Sequence, residues 1–316
     1  IIRRFGVQVP VGPQMSSHAY IKNPKNMDIL INVNGELFKR DEAKISVFDS
    51  GFLLGDGVWE GIRMHKSSLV FIEDHLDRIF QSADGINLKI TLSKDEIINE
   101  INRTLSANNM KDDVHIRLII SRGDKITPYQ NPNANIGPIN FVIIPEYKKT
   151  DPDTYAYGIK IGRVSVIRPN NSILSPQLNT LSKLNCIQGS IEANKLGYDE
   201  GIMNDINGNI STCNSTNLFF INEKQILTST GEHCLNGITR GKVLEICNKF
   251  EFKCKKIDFK FEDIANCEEA FVTGTFAGVI PVSHLENRKL ESTNSSSITN
   301  KIRLLYNNKI EKYINS

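Results

Sequence analysis

The chain has 316 residues, 40% hydrophobic and 23% charged, with Lys+Arg 38 against Asp+Glu 36 and a formal net charge of +2. This length exceeds what one core ordinarily serves and predicts two domains of ordinary soluble composition. The near balance of charge argues against a nucleic-acid module or an anionic-membrane binder, both of which need a basic field.

Residues 1–26 are polar with several prolines and read as an irregular arm. The opening Ile1-Ile-Arg-Arg-Phe lacks the long apolar stretch of a signal peptide, and without an initiator Met it reads as a fragment or a processed form. Residues 29–33 and 36–38 flank Asn34-Gly35, a pair that favours a type I′ hairpin turn. A strand is expected over 69–72, then a helix from His75 to about Ala83, capped by Asp74, with Leu76, Ile79 and Phe80 on one face. Ser93-Lys-Asp-Glu96 has the spacing of a capping box ahead of Ile97, Ile98, Ile101 and Leu105, which share a helix face. Residues 114–120 and 141–144 read as core strands. The polar stretch 149–157 reads as a linker between a small N-terminal α/β domain over 27–148 and a larger C-terminal domain over 158–316.

In the second half a strand is expected over 159–166 and a helix over about 181–196. Leu181, Leu184, Ile187 and Ile191 line one face of that helix, and Gly197 is placed to cap it. Strands over 201–204 and 218–221, a helix over 240–249, a strand over 270–272 and a closing helix over 297–314 complete an α+β chain without internal repeats. Lys253, Lys255, Lys256 and Lys260 alternate with Phe252, Ile257, Phe259 and Phe261, the pattern of a half-solvated strand rather than a basic patch. No apolar run approaches the roughly 18 residues of a transmembrane helix.

Six cysteines without a CxxC pair fit reduced thiols in a cytoplasmic protein, and six histidines without HxxxH or HExxH spacing give no metal site. Gly55-Asp-Gly-Val-Trp-Glu-Gly-Ile-Arg63 is glycine-dense but no Walker loop, since no Gly-Lys-Ser/Thr follows. Gly237-Ile-Thr-Arg240 stands directly before a helix, where backbone N–H groups favour a phosphate, although an ordinary turn and N-cap has the same pattern. Thr273-Gly-Thr275 ends a strand and offers further N–H and hydroxyl donors.

Taken together, these pieces are more specific. Val47-Phe-Asp-Ser-Gly-Phe-Leu-Leu-Gly-Asp-Gly-Val-Trp-Glu-Gly-Ile-Arg63, Phe71-Ile-Glu-Asp-His-Leu-Asp-Arg-Ile79, the run from Asp199 to Phe219, Gly237-Ile-Thr-Arg240 and Glu269-Ala-Phe-Val-Thr-Gly-Thr275 follow one another in an order and spacing that resembles the class IV aminotransferases from about residue 28 to residue 290. The resemblance implies a two-domain, D-amino acid aminotransferase-like fold (fold type IV) that forms a homodimer. It also implies pyridoxal 5′-phosphate in the cleft between domains, and transamination of an amino acid with a 2-oxo acid, branched-chain in type. Carried over by position, Arg78 and the N–H groups of Ile238 and Thr239 hold the phosphate, and Thr275 and Phe276 join them or face the substrate carboxylate. Trp59 and Arg63 stand at the substrate pocket. Arg117 matches the carboxylate-binding arginine of the branched-chain members and Arg122 that of the D-amino acid members; a planar guanidinium suits bidentate recognition, and either could instead be an ion-pair partner.

Two positions depart from the family pattern. The lysine that carries the cofactor falls on Asn179, which has no amine to offer, while Lys183 stands four residues on, about one turn along the expected helix and aimed at the same site. A relocated lysine is therefore expected, beside the plainer readings of Lys183 as a solvated helix lysine or an ion partner for the phosphate. The glutamate that faces the cofactor's ring nitrogen falls on Thr212, and a hydroxyl does not stabilise a pyridinium as a carboxylate does. Two alternatives stay open: a lyase resembling aminodeoxychorismate lyase, to which Thr212 points, and a catalytically inactive homologue binding a ligand in the cleft, to which both departures point.

Overall fold

The computed structural model describes residues 28–315; the expected arm over 1–26 lies outside them. The first half is a six-stranded sheet. β1 (Leu30–Val33) and β2 (Glu36–Lys39) form the expected hairpin, with Val33 opposite Glu36 and both Asn34 (φ 53°) and Gly35 (φ 87°) left-handed, as a type I′ turn requires. A short helix, α1 (Ser50–Leu54), leads into β3 (Gly57–His65), followed by β4 (Ser68–Leu69), β5 (Val114–Ser121) and β6 (Asn140–Tyr147). The strand order is β2-β1-β6-β5-β3-β4.

Two helices cover one face. α2 (Ile72–Gly85) and α3 (Lys94–Ala107) press Leu76, Ile79, Ile97 and Ile101 onto Val58, Ile62, Ile116 and Leu118. The Ser93–Glu96 capping box forms as the spacing predicts. Asp74 is not the cap of α2: Phe71, in a left-handed conformation, occupies that position, the helix starts earlier, and Asp74 sits inside the first turn bound to Lys242. The strand expected over 69–72 accordingly shrinks to two residues, because Ile72 already belongs to the helix.

The stretch read as a linker holds a further short helix, α4 (Pro152–Tyr157). Beyond it a second sheet is built from β7 (Ile159–Arg163), β8 (Glu200–Asn204), β9 (Ile210–Cys213), β10 (Asn217–Asn222), β11 (Gln225–Thr228), β12 (Lys253–Lys256), β13 (Glu269–Gly274), β14 (Gly278–Leu285) and β15 (Arg288–Lys289). Its order is β12-β11-β10-β13-β14-β7-β8-β9, with β15 paired to β14. Along β10 alternate residues serve different cores. Leu218 and Phe220 face one with Phe259, whereas Phe219 and Ile221 face another under α6 (Ile238–Lys249) and α7 (Ile298–Ile314). Phe71 of the first half joins this last core, its ring 4.8 Å from that of Tyr313. The lysine-rich strand β12 is half solvated at the sheet edge. Among the described residues no helix is long and apolar enough to cross a membrane.

The helix expected over 181–196 is shorter and turned the other way. α5 runs Leu184–Lys195, and its buried residues are Gly189 and Ala193. Leu184, Ile187 and Ile191 are exposed by 67%, 51% and 48%. The small residues let the helix settle closely on β8, where a Cβ on Gly189 would come within 3.0 Å of Met203 Sδ, and the apolar stripe is left outward.

Residues 179–181 are extended instead of helical, and run beside β3. Trp59 N donates to Asn179 O (3.0 Å), Val58 bridges Thr180, and Leu181 N donates to Gly57 O (2.9 Å). Gly57 makes this approach possible, since a Cβ there would stand 2.5 Å from Ile120 O and 2.7 Å from Leu181 Cδ1. Gly57→Ala should therefore destabilise the protein by about 1–3 kcal/mol through overpacking. Urea unfolding measures this directly, and a variant as stable as the parent would contradict the packing described.

Candidate functional site

The site begins with strand alternation on the first sheet. On β3, Val58, Glu60 and Ile62 face the helices, while Trp59, Gly61 and Arg63 face the second half of the chain. Glu60 is thus a carboxylate buried in a hydrophobic core. It is met there by α2: Arg78 grips it with two nitrogens (Nε to Oε1 2.7 Å, Nη2 to Oε2 2.8 Å), and His75 Nδ1 lies 2.7 Å from Oε2. Burial pushes the Glu60 pKa up, but the Arg78 charge and the hydrogen bonds of His75 and Arg78 outweigh it and bring the carboxyl down to about 2. With its Nε and Nη2 so engaged, Arg78 sends Nη1 to Asn236 O (3.2 Å), immediately before α6.

That helix start has the makings of an anion cradle. No side chain caps α6, so its first N–H groups, those of Ile238 and Thr239 among them, are not answered from within. Gly237 packs against Asn217, where a Cβ would come within 2.4 Å of Oδ1, and its N–H donates to that oxygen. The Thr239 hydroxyl is turned away to Tyr306 (3.3 Å), which leaves its backbone N–H as the group that can face a ligand.

Asn179 is buried beside this cluster. Its Nδ2 donates to Trp59 O (2.7 Å) and to Glu60 Oε1 (3.3 Å), which fixes the orientation of the amide. Its Oδ1, like Trp59 Nε1 and Arg168 Nε, is buried with no hydrogen-bond partner among the described residues. Such orphaned donors and acceptors are costly in a folded protein and are common where a ligand binds. Lys183 is the residue immediately before α5, with Nζ 5.6 Å from the Trp59 ring centroid. Burial, chiefly, lowers its pKa to about 8; Arg168 and Arg78 reinforce the effect, whereas Cys186 and Glu60 oppose it. The offset between positions 179 and 183 is therefore not a helical turn but a run of extended chain that brings Lys183 back over Trp59.

The other expected residues fall into two groups. Arg117 stacks on Trp59, its Cζ 4.2 Å from the ring centroid. Phe276, in the turn after β13 that also carries Thr275, closes over the same face: its ring lies 6.1 Å from that of His115 and 4.4 Å from Lys148 Nζ. Arg63 completes this face. Arg122, in contrast, is committed elsewhere, with Asp56 held in a fork (2.7 and 3.0 Å) and the carbonyls of Ile86 and Asn87 taken as well. The Thr212 hydroxyl donates to Thr216 O (2.8 Å), so only its lone pairs remain for a ligand.

Glu60, His75, His115, Lys148 and Arg168 were not singled out from the sequence. Glu60 had a signal: a charged residue in phase with the apolar Val58 and Ile62 on one strand has to be paired within the core.

Comparison with known proteins adds the following. Residues 57–285 match the family model described as amino-transferase class IV. The chain is 32% identical over 283 residues to the Branched-chain-amino-acid aminotransferase-like protein 2 of Arabidopsis thaliana, covering 90% of this chain and 50% of that protein. It thus spans about half the length of the curated relatives it matches, a second such Arabidopsis protein being covered to 51%. Among solved structures, the branched-chain aminotransferase of Thermoproteus uzoniensis with norvaline superposes with a TM-score of 0.80 at 25% identity, over 89% of this chain and 94% of that one. The Escherichia coli branched-chain amino acid aminotransferase gives 0.79 at 23% identity, over 88% and 93%, a likeness of fold.

Replacing the buried carboxylate should expose how much rests on it. Glu60→Gln leaves Arg78 without its counter-charge and should cost about 3–5 kcal/mol. The folded pKa near 2 lies below the usual carboxylate value of 4.5, so the pair's stabilisation is full above about pH 4.5 and is lost as pH falls toward 2. Chemical unfolding across that window should show a steeper acid loss in the parent than in Glu60→Gln; parallel curves would contradict the pairing.

Proposed function

Because the chain belongs to the class IV aminotransferase family, we propose that it moves an amino group between an amino acid and a 2-oxo acid with pyridoxal phosphate, using Lys183 in place of the lysine absent at position 179. The observation that carries this reading is the amine of Lys183 held over Trp59 with its pKa drawn to about 8. The residues present fit the cofactor at two ends. Arg78 Nη1 and the N–H groups of Ile238 and Thr239 form the phosphate cradle, and Lys183 supplies the amine. Thr212 stands where the family resemblance puts a carboxylate at the ring nitrogen, and its hydroxyl leaves that end without a charge. Bound there, pyridoxal phosphate supplies an aldehyde that receives the amino group and a ring that takes up electron density from the substrate's α-carbon.

The chain's own residues do the rest. Lys183, depressed toward pH 8, is neutral in a useful fraction near neutrality, so its Nζ can both attack a carbonyl carbon and carry a proton. Arg117 offers its guanidinium to the substrate carboxylate, fixed over the Trp59 face. Asn179 keeps the loop before α5 pinned to β3 through the same Glu60 that orients Arg78. Phosphate grip and amine position thereby share one support. All six cysteines are free, in keeping with a reducing, cytoplasmic setting. The exposed stripe Leu184, Ile187 and Ile191, with Phe52 exposed by 68%, supports assembly as a homodimer.

Incubation with pyridoxal phosphate followed by borohydride should fix the cofactor on a peptide containing Lys183. The fixed fraction should rise with pH through about 8, as deprotonation of the amine demands. Lys183→Ala should lose the label, and adding Asn179→Lys to that variant should restore it on residue 179. A Lys183→Ala protein that is labelled as well as the parent would sink the proposal. On the same preparation, light scattering should give twice the chain mass, falling to one chain with Ile187→Glu. A monomeric parent would refute the dimer.

A further inference from the structure

The six free cysteines are unequally placed. Cys213, Cys234 and Cys267 are buried, and burial raises each thiol above its usual range. Cys186 is half-buried and receives Arg168 Nη1 (3.1 Å). Cys247 and Cys254 differ from these in having each other. Cys247 lies near the end of α6, fully buried, in the core that α6 shares with α7 and one face of β10. Cys254 packs against the same core from β12, the outermost strand of the second sheet, and stays half-exposed.

The turn between them sets this meeting. Phe252 N donates to Cys247 O (2.9 Å), which folds the chain back as soon as α6 ends. β12 then runs parallel to β11 with Cys254 opposite Ile226. Strand alternation sends Lys253 and Lys255 to the other face, so Cys254 points under α6. The two thiols are in hydrogen-bond contact, Cys247 donating and the Cys254 sulfur accepting. That bond raises Cys247, with burial adding to it. The same bond lowers Cys254 against the effect of burial, and the charges of Arg240 and Lys256 help.

Arg240 bears on the pair in a second way. It is buried in the first turn of α6, where Nη1 goes to Asn236 Oδ1 (2.8 Å) and Nη2 to Ser229 O. Its Nε is buried with no partner among the described residues. A guanidinium bonded only to neutral oxygens favours an anion within reach. It feels two sulfurs, Cys234 and Cys254, and burial keeps Cys234 protonated. The thiolate of Cys254 is the anion left to it.

We infer that Cys254 and Cys247 form a peroxide-responsive dithiol, which a peroxide converts to a disulfide tying the edge strand β12 to α6. The half-exposed Cys254 thiolate attacks one peroxide oxygen. An S–O bond forms as the O–O bond breaks, and hydroxide, or the alkoxide of an organic peroxide, leaves. The Cys247 sulfur then attacks the Cys254 sulfur. The S–S bond forms, the S–O bond breaks, and the departing hydroxyl takes the Cys247 proton and leaves as water. The two thiols give up two electrons, and the peroxide takes both. Redox-sensing bonds of this kind are transient in a reducing compartment, and the structure holds the reduced pair. Neither the cofactor nor Lys183 takes part, so this inference and the proposed transamination fail separately.

The parent protein should be treated with excess hydrogen peroxide, its remaining thiols blocked, and the chain digested. A peptide joining residues 247 and 254 is expected, and titratable thiols should fall from six to four, two for the one bond. Dithiothreitol should restore all six. Cys247→Ala should instead accumulate a sulfenic acid on Cys254, which dimedone traps. Cys254→Ser should form no disulfide, and Cys186→Ser should form the same bond as the parent. A parent without the linked peptide, or with its first disulfide between other residues, would overturn the inference. So would a Cys254→Ser protein that loses two thiols as fast as the parent. The linked peptide is read on the parent itself, so the inference stands or falls even where a variant does not fold.

Discussion

A buried carboxylate governs the geometry of this protein. Glu60 sits in the core of the first sheet, and Arg78, His75 and Asn179 are referenced to it. Arg78 is held by two of its nitrogens so that the third points to the start of α6. Asn179 is held by its amide so that the loop before α5 runs along β3. His75 completes the set from the same helix as Arg78. A charge in such a place is tolerable only when its lone pairs are filled, and here three side chains fill them. The arrangement joins both halves of the chain through one ionised group.

In the proposed reaction, the exchange at positions 179 and 183 is a change of origin for the amine, not simply a loss. An asparagine at 179 does structurally what a lysine could not do while also reaching a ligand: its Nδ2 satisfies Trp59 O and Glu60. The extended course of 179–181 then delivers Lys183 to the Trp59 face. Because Lys183 stands just before α5 rather than inside it, its amine enters the cleft from the end of the helix, among the charges of Arg168, Arg78 and Glu60. Burial at that position chiefly lowers its proton affinity, with Arg168 and Arg78 adding to the effect, so position and reactivity are linked.

Across the cleft, the turn after β13 brings Phe276 down on His115 and Lys148. Two sheets that are separate in their backbone pairing are thereby joined by side chains. Arg122, despite an attractive local sequence, spends its donors on Asp56 and on the end of α2, and so braces the first half of the chain. A stacked arginine and a braced arginine look alike in sequence; which neighbours reach them distinguishes the two.

The sequence by itself determined most elements and the family motifs, because periodicity, caps and turn residues act over a few positions: the Asn34-Gly35 hairpin and the Ser93–Glu96 box stand where their residues put them, while α6 opens at Ile238, two residues before the expected start, inside Gly237-Ile-Thr-Arg240. It also named the two altered positions, since these are matters of side-chain chemistry. Tertiary structure alone decided the start of α5, where backbone pairing of 179–181 with β3 overrode the helical pattern, and the outward turn of its apolar stripe, where Gly189 and Ala193 won the buried face by fitting against β8. It alone decided the convergence of Arg63, His115, Arg117 and Lys148. Those residues come from two strands and the residue just past the end of a third, and only the register of a folded sheet sets them side by side.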